Sequence, residues 1–119
     1  AVCAAAIEAI QVVKDEPERH QTLAARSAFT GQVLRDAGLQ VIGTAIPGPI
    51  IAILLGDDAL AARVSQRLLL NGVFVPAVRP PTVPRGTARL RMSLCCDHSE
   101  EQIRHAVCQL RDVVKSEQC

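Results

Sequence analysis

The stretch "ARLRMSL", residues 88–94, alternates apolar and polar side chains without a break, and the loop before it, "RPPTVPRGT", carries three prolines. A period of two is a β-strand with Ala88, Leu90, Met92 and Leu94 on one face and Arg89, Arg91 and Ser93 on the other. Such a strand belongs in an antiparallel sheet that packs one face on a core and leaves the other open. Pro80, Pro81 and Pro84 each fix a φ angle, so the connection into the strand is stiff. No acidic residue lies between Arg79 and Leu94, so Arg79, Arg85, Arg89 and Arg91 have no partner within the stretch. A guanidinium is a planar fork of donors that matches a carboxylate or phosphate and stays charged at any physiological pH. Arg89 and Arg91 on one polar face therefore form a candidate anion site. An ordinary solvated outer face is the alternative reading of the same pattern.

The rest of the chain reads as the covering layer. Residues 2–14 are Ala-rich and apolar on most sides, a helix that needs cover from elsewhere. "DEPER" restarts a helix with Pro17 in its first turn. That helix is expected over residues 18–37, stopping at Gly38, with Leu23, Ser27, Thr30 and Leu34 on its inner stripe. The apolar run at residues 50–55, bracketed by Pro47-Gly48-Pro49 and Gly56, reads as a buried strand. Asp57 or Asp58 caps a helix to residue 70, which Asn71-Gly72 ends. "VFVPAV", residues 73–78, is expected as a strand at an edge, because Pro76 lacks an N–H. Ser99 and Gln102 have capping-box spacing, and Ile103, Val107, Leu110 and Val114 form the core stripe of a closing helix. The predicted order αα-βα-ββ-α is an α/β two-layer sandwich, a mostly antiparallel sheet of three to four strands packed with helices.

The 119 residues suit one domain, 49% hydrophobic and 21% charged, with a formal net charge of +1. So even a balance gives no reason to expect generic binding to nucleic acid or a membrane. With no Trp or Tyr, and only Phe29 and Phe74, the chain lacks base-stacking platforms. No apolar run is long enough to span a bilayer. Five cysteines without CxxC spacing point to free thiols in a reducing compartment.

The segment "LLLNGVFVPAVRPPTVPRGTARLRMSLCCDHSEEQI" resembles the C-terminal part of the α-oxoamine synthases, a family of fold-type I PLP-dependent enzymes. "RPPTVP" followed by "GTARLR" is most similar to the biotin-biosynthesis branch of that family. The glycine C-acetyltransferase and 5-aminolevulinate synthase branches share the helix, strand, loop and strand but vary the proline loop. The resemblance implies a cytoplasmic homodimer that uses PLP to condense an amino acid, L-alanine, with an acyl-CoA, pimeloyl-CoA, with loss of CO2. By the same resemblance Arg91 holds the amino-acid carboxylate, and Arg79 and Thr82 border the acyl-substrate side of the pocket. The family's Schiff-base lysine, its aspartate facing the pyridine nitrogen, its stacking histidine and its main phosphate ligands have no counterpart here. Lys14 and Lys115 are the only lysines, and neither has the family's context. No catalytic, cofactor-binding or metal-binding residue is therefore expected in residues 1–119, and the segment alone is expected to be inactive. Residues 1–37 read as a helical lead-in from a larger domain and 38–119 as the sandwich, in a chain cut from a longer one. Cys95, Cys96 and Asp97 depart from the small residues common at those positions in the family. Without an upstream domain, the competing reading is a carboxylate-binding regulatory module.

Other candidates are weaker. Cys95, Cys96, Asp97, His98, His105 and Cys108 carry zinc-binding atoms, but their expected positions scatter them. His20 is expected in solvent, and Ser27 and Thr30 as packed or back-bonded hydroxyls. Arg85 directly after Pro84 fits the docking registers of a PxxP ligand poorly.

Overall fold

A computed structural model describes residues 1–43 and 48–118. Pro47 of the expected proline bracket and the thiol of Cys119 lie outside the described residues. The elements are α1 (Val2–Asp15), α2 (Pro17–Asp36), β1 (Val41–Ile42), β2 (Ile50–Gly56), α3 (Asp58–Leu70), β3 (Ala77–Val78), β4 (Ala88–Ser93) and α4 (Glu100–Gln118). The four strands form one antiparallel sheet in the order β1-β2-β4-β3. The expected α/β sandwich is what the chain forms.

The helix boundaries follow from the caps. Asp57 accepts a hydrogen bond from the Leu60 N–H at 2.6 Å and starts α3. Gly72, at φ +83°, ends it by letting the Val73 N–H turn back to the Leu68 carbonyl at 2.8 Å. Ser99 and Gln102 form both bonds of the capping box at the start of α4, at 2.9 and 3.1 Å. Pro17 occupies the first turn of α2.

Two parts of the sheet differ from the sequence reading. Of the expected strand at residues 73–78, only Ala77 and Val78 pair with β4. Pro76 lies in register opposite Arg91 and accepts its N–H at 2.9 Å, but has no N–H of its own to return. The ladder ends there. Conversely, β1 was not foreseen. It pairs Val41 with Ile53 and Ile42 with Ala52, and two residues carry no readable period.

The core lies between the helix-facing side of the sheet and α2, α3 and α4. Ile51, Ile53, Leu90 and Met92 meet Leu34, Val64, Leu68, Ile103, Val107 and Leu110, all buried. The stripe on α4 is as expected, widened by Val113. On α2, Ser27, Thr30 and Leu34 are buried. Thr30 Oγ1 bonds back to the Arg26 carbonyl at 2.7 Å, and Ser27 Oγ reaches the Gly48 carbonyl at 2.6 Å. α1 has no buried residue, and Val2, Ile7, Ile10 and Val13 on it are exposed.

Arg67 and Arg63 tie α3 to α4 through Glu117, at 2.8 and 3.0 Å. Hydrogen bonds from Arg67 first, then Arg63, hold the Glu117 carboxyl below its ordinary value of 4.5. A carboxyl with a lowered folded-state value stabilises the fold fully above its unfolded value and loses that contribution as pH falls through the folded one. Glu117→Gln is expected to flatten the acid limb of stability below about pH 4.5. Urea midpoints measured across pH check this, and an unchanged acid limb contradicts it.

Candidate functional site

The site is the open face of the sheet where β4 carries its arginines. Burial along β4 alternates as the sequence requires: Ala88, Leu90 and Met92 are buried, Arg89 is half-buried, and Arg91 and Ser93 are exposed. Register sets the neighbours of each side chain. Arg91 lies opposite Ala52 on β2, and Arg89 lies between Leu54 on β2 and Val78 on β3. Residues directly opposite in an antiparallel pair share a face, so Ala52 and Leu54 line the face from which the arginines project.

The two guanidiniums are not equivalent. Arg89 Nε donates to the Thr87 carbonyl at 3.1 Å, which commits it to the loop. Among the described residues Arg91 has no ion pair. Its backbone is pinned through the Pro76 carbonyl, and the methyl of Ala52 leaves room beside it. Arg91 is thus a positive fork on a fixed strand, and it can take a carboxylate in bidentate fashion.

The proline loop closes the site in two tight turns. The Thr82 N–H donates to the Arg79 carbonyl at 3.1 Å, while Thr87 donates through both N–H and Oγ1 to the Pro84 carbonyl at 3.2 and 2.5 Å. Arg79, Thr82 and Arg85 are exposed on this loop. Arg79 follows directly on Val78, the register partner of Arg89, so the loop leaves the sheet beside the arginine face. The sequence did not reveal two cavities. One, of about 620 Å³, lies between the loop and the start of α3, and Arg85 and Asp58 line it. The other, of about 740 Å³, is lined by the end of β4 with Arg91, by the segment before β3 with Phe74, and by the start of α4 with Ala106. Both depend on a bend in the chain that no local pattern encodes.

The remaining candidates stay apart. No three His, Cys, Asp or Glu side chains come together among the described residues. β4 stops at Ser93, so Cys95 and Cys96 sit in the turn before α4, where His98 Nδ1 accepts the Cys95 N–H at 3.1 Å. His20, His105 and Cys108 are exposed. No helix among the described residues is long and apolar enough to cross a membrane.

A one-sided antiparallel sheet that presents an exposed arginine beside a stiff proline loop defines an α/β unit with an unpaired cation, among the described residues, on its open face. The chain belongs to the aminotransferase class I and II family, which it matches over residues 1–110. It is 41% identical over 103 residues to 8-amino-7-oxononanoate synthase of Nitrosococcus oceani, covering 87% of this chain and 27% of that protein. It is also 41% identical over 112 residues to 8-amino-7-oxononanoate synthase of Anaeromyxobacter dehalogenans, covering 94% of this chain and 28% of the relative. The chain thus spans little more than a quarter of the length of these relatives. The crystal structure of 8-amino-7-oxononanoate synthase from Francisella tularensis superposes with a TM-score of 0.79 at 25% identity, over 97% of this chain and 33% of that one. A serine palmitoyltransferase from S. paucimobilis, solved with PLP and myriocin bound, gives 0.81 at 27% identity, over 92% of this chain and 27% of that one.

Structural relatives were solved with PLP bound, and the lysines of this chain do not fit a role in holding it. Lys14 and Lys115 are both exposed, on α1 and α4.

Proposed function

We propose that this chain supplies the substrate-carboxylate wall, in the C-terminal part, of a PLP-dependent C-acyltransferase of the 8-amino-7-oxononanoate synthase type. The whole protein would join L-alanine to pimeloyl-CoA, releasing CO2 and CoA, as a homodimer in the cytosol. The observation that carries this reading is Arg91: exposed, without an ion-pair partner among the described residues, and set on a strand beside the small Ala52. Arg91 binds the amino-acid carboxylate and so fixes the orientation of the α-carbon, a positioning role worth much of the entropy of bringing two substrates together. PLP, when bound by the rest of the protein, supplies the electron sink for the α-carbon. Arg79 and Thr82 border the path of the acyl chain, and the stiff loop keeps that border fixed.

The test is a substrate panel with the full-length protein: L-alanine with pimeloyl-CoA, glycine with acetyl-CoA, and L-serine with palmitoyl-CoA, each followed by CoA release. The first pair is expected to give the highest kcat/KM. Preference for either of the others moves the protein to another branch of the family, and no CoA release from any pair removes the catalytic reading.

A further inference from the structure

We propose that Arg85 binds an anionic oxygen group, carboxylate or phosphate, of the acyl donor in the cavity between the proline loop and the start of α3. This inference rests on the acyltransferase reading above. The cavity, about 620 Å³, is lined by Asp58, Pro80, Pro81, Val83, Arg85 and Gly86. That volume is in the range of sites for small organic ligands. Most of its exposed lining is polar, which suits an anionic oxygen group, and Arg85 is the one cation among the lining residues. Arg85 sits in the turn that Thr87 closes onto Pro84, so its backbone is held while its side chain is exposed. No ion pair joins it to Asp58 or to any other acid among the described residues.

The location connects the cavity to the arginine face. Ala88 begins β4 at the cavity end of the sheet, opposite Gly56, and Arg91 follows about 10 Å along the same strand. A donor reacting beside the carboxylate at Arg91 can run past Arg89 and the loop to this rim. Asp58, which also lines the cavity, works against an anion there. Its removal therefore has the opposite sign to that of Arg85.

The experiment measures equilibrium binding of pimeloyl-CoA and heptanoyl-CoA, the same chain length without the terminal carboxylate, to the full-length holoenzyme by calorimetry. Arg85→Gln is expected to weaken pimeloyl-CoA binding about tenfold, the effect of one charge-assisted hydrogen bond. Asp58→Asn is expected to strengthen it, and the KM for L-alanine is expected to stay unchanged in both variants. If the loss vanishes with heptanoyl-CoA, the anion is the carboxylate of the acyl chain; if it persists, the anion is a phosphate of the carrier. Equal binding of both donors by wild type and Arg85→Gln, or a matching rise in the KM for L-alanine, overturns the assignment. Wild-type protein that binds donor without turnover overturns the catalytic reading instead, and leaves the Arg85 comparison readable.

Discussion

Arg91→Ala in the full-length protein is expected to raise the KM for the amino-acid substrate about 100-fold, which corresponds to losing roughly 2.7 kcal/mol of charge-assisted hydrogen bonding. PLP content and the KM for the acyl donor are expected to stay close to wild type, because the role proposed for Arg91 is limited to the amino-acid carboxylate. Arg91→Lys keeps the charge but loses the planar fork, so its KM should lie between the two. Direct measurement of amino-acid dissociation removes any dependence on the rate of the chemical step. An unchanged KM in Arg91→Ala, with the protein folded, takes Arg91 out of the site and with it the main support for the carboxylate wall.

Leu90→Ala is expected to cost about 2–5 kcal/mol of stability, the range for deleting a fully buried leucine without collapse of the site around it. Leu90 has no exposed surface and lies between Ile53 on β2 and Ala77 on β3. Sheet neighbours on both sides keep the backbone from relaxing into the gap. Ser93→Ala, on the open face of the same strand, is expected to stay within about 0.5 kcal/mol. Urea midpoints of the two variants make the comparison, and similar midpoints would mean that the buried face of β4 does not hold the core.

The contrast between those two residues was legible in the sequence because period two is a strong local signal, and β4 obeys it from Ala88 to Ser93. The capping box at Ser99 and Gln102, the cap at Asp57 and the stripe on α4 were legible for the same reason: each is satisfied within a few residues. β1 was not, since Val41 and Ile42 become a strand only when β2 lies beside them. Residues 73–76 were misread because "VFV" has strand composition while Pro76 withholds the hydrogen bond that would continue the ladder. In the site, alternation and family resemblance singled out Arg91. What the sequence left open was where Arg89 goes: its Nε donates to the Thr87 carbonyl, whose place depends on how the proline loop turns. The cavity at Arg85 required the loop and the start of α3 to be brought together, which neither segment states alone.

The pairing of Ala52 with Arg91 also bears on how faithfully the chain finds its fold. A slip of one residue between β2 and β4 would turn β4 over, drive both guanidiniums among Val64, Leu68 and Leu110, and expel Leu90 and Met92 into water. Burying two unpaired charges costs far more than any alternative pairing could return. The arginines proposed to serve a ligand on this face therefore also proofread the sheet. A variant that exchanged both arginines for apolar residues would lose its discrimination between correct and slipped registers along with the proposed anion site.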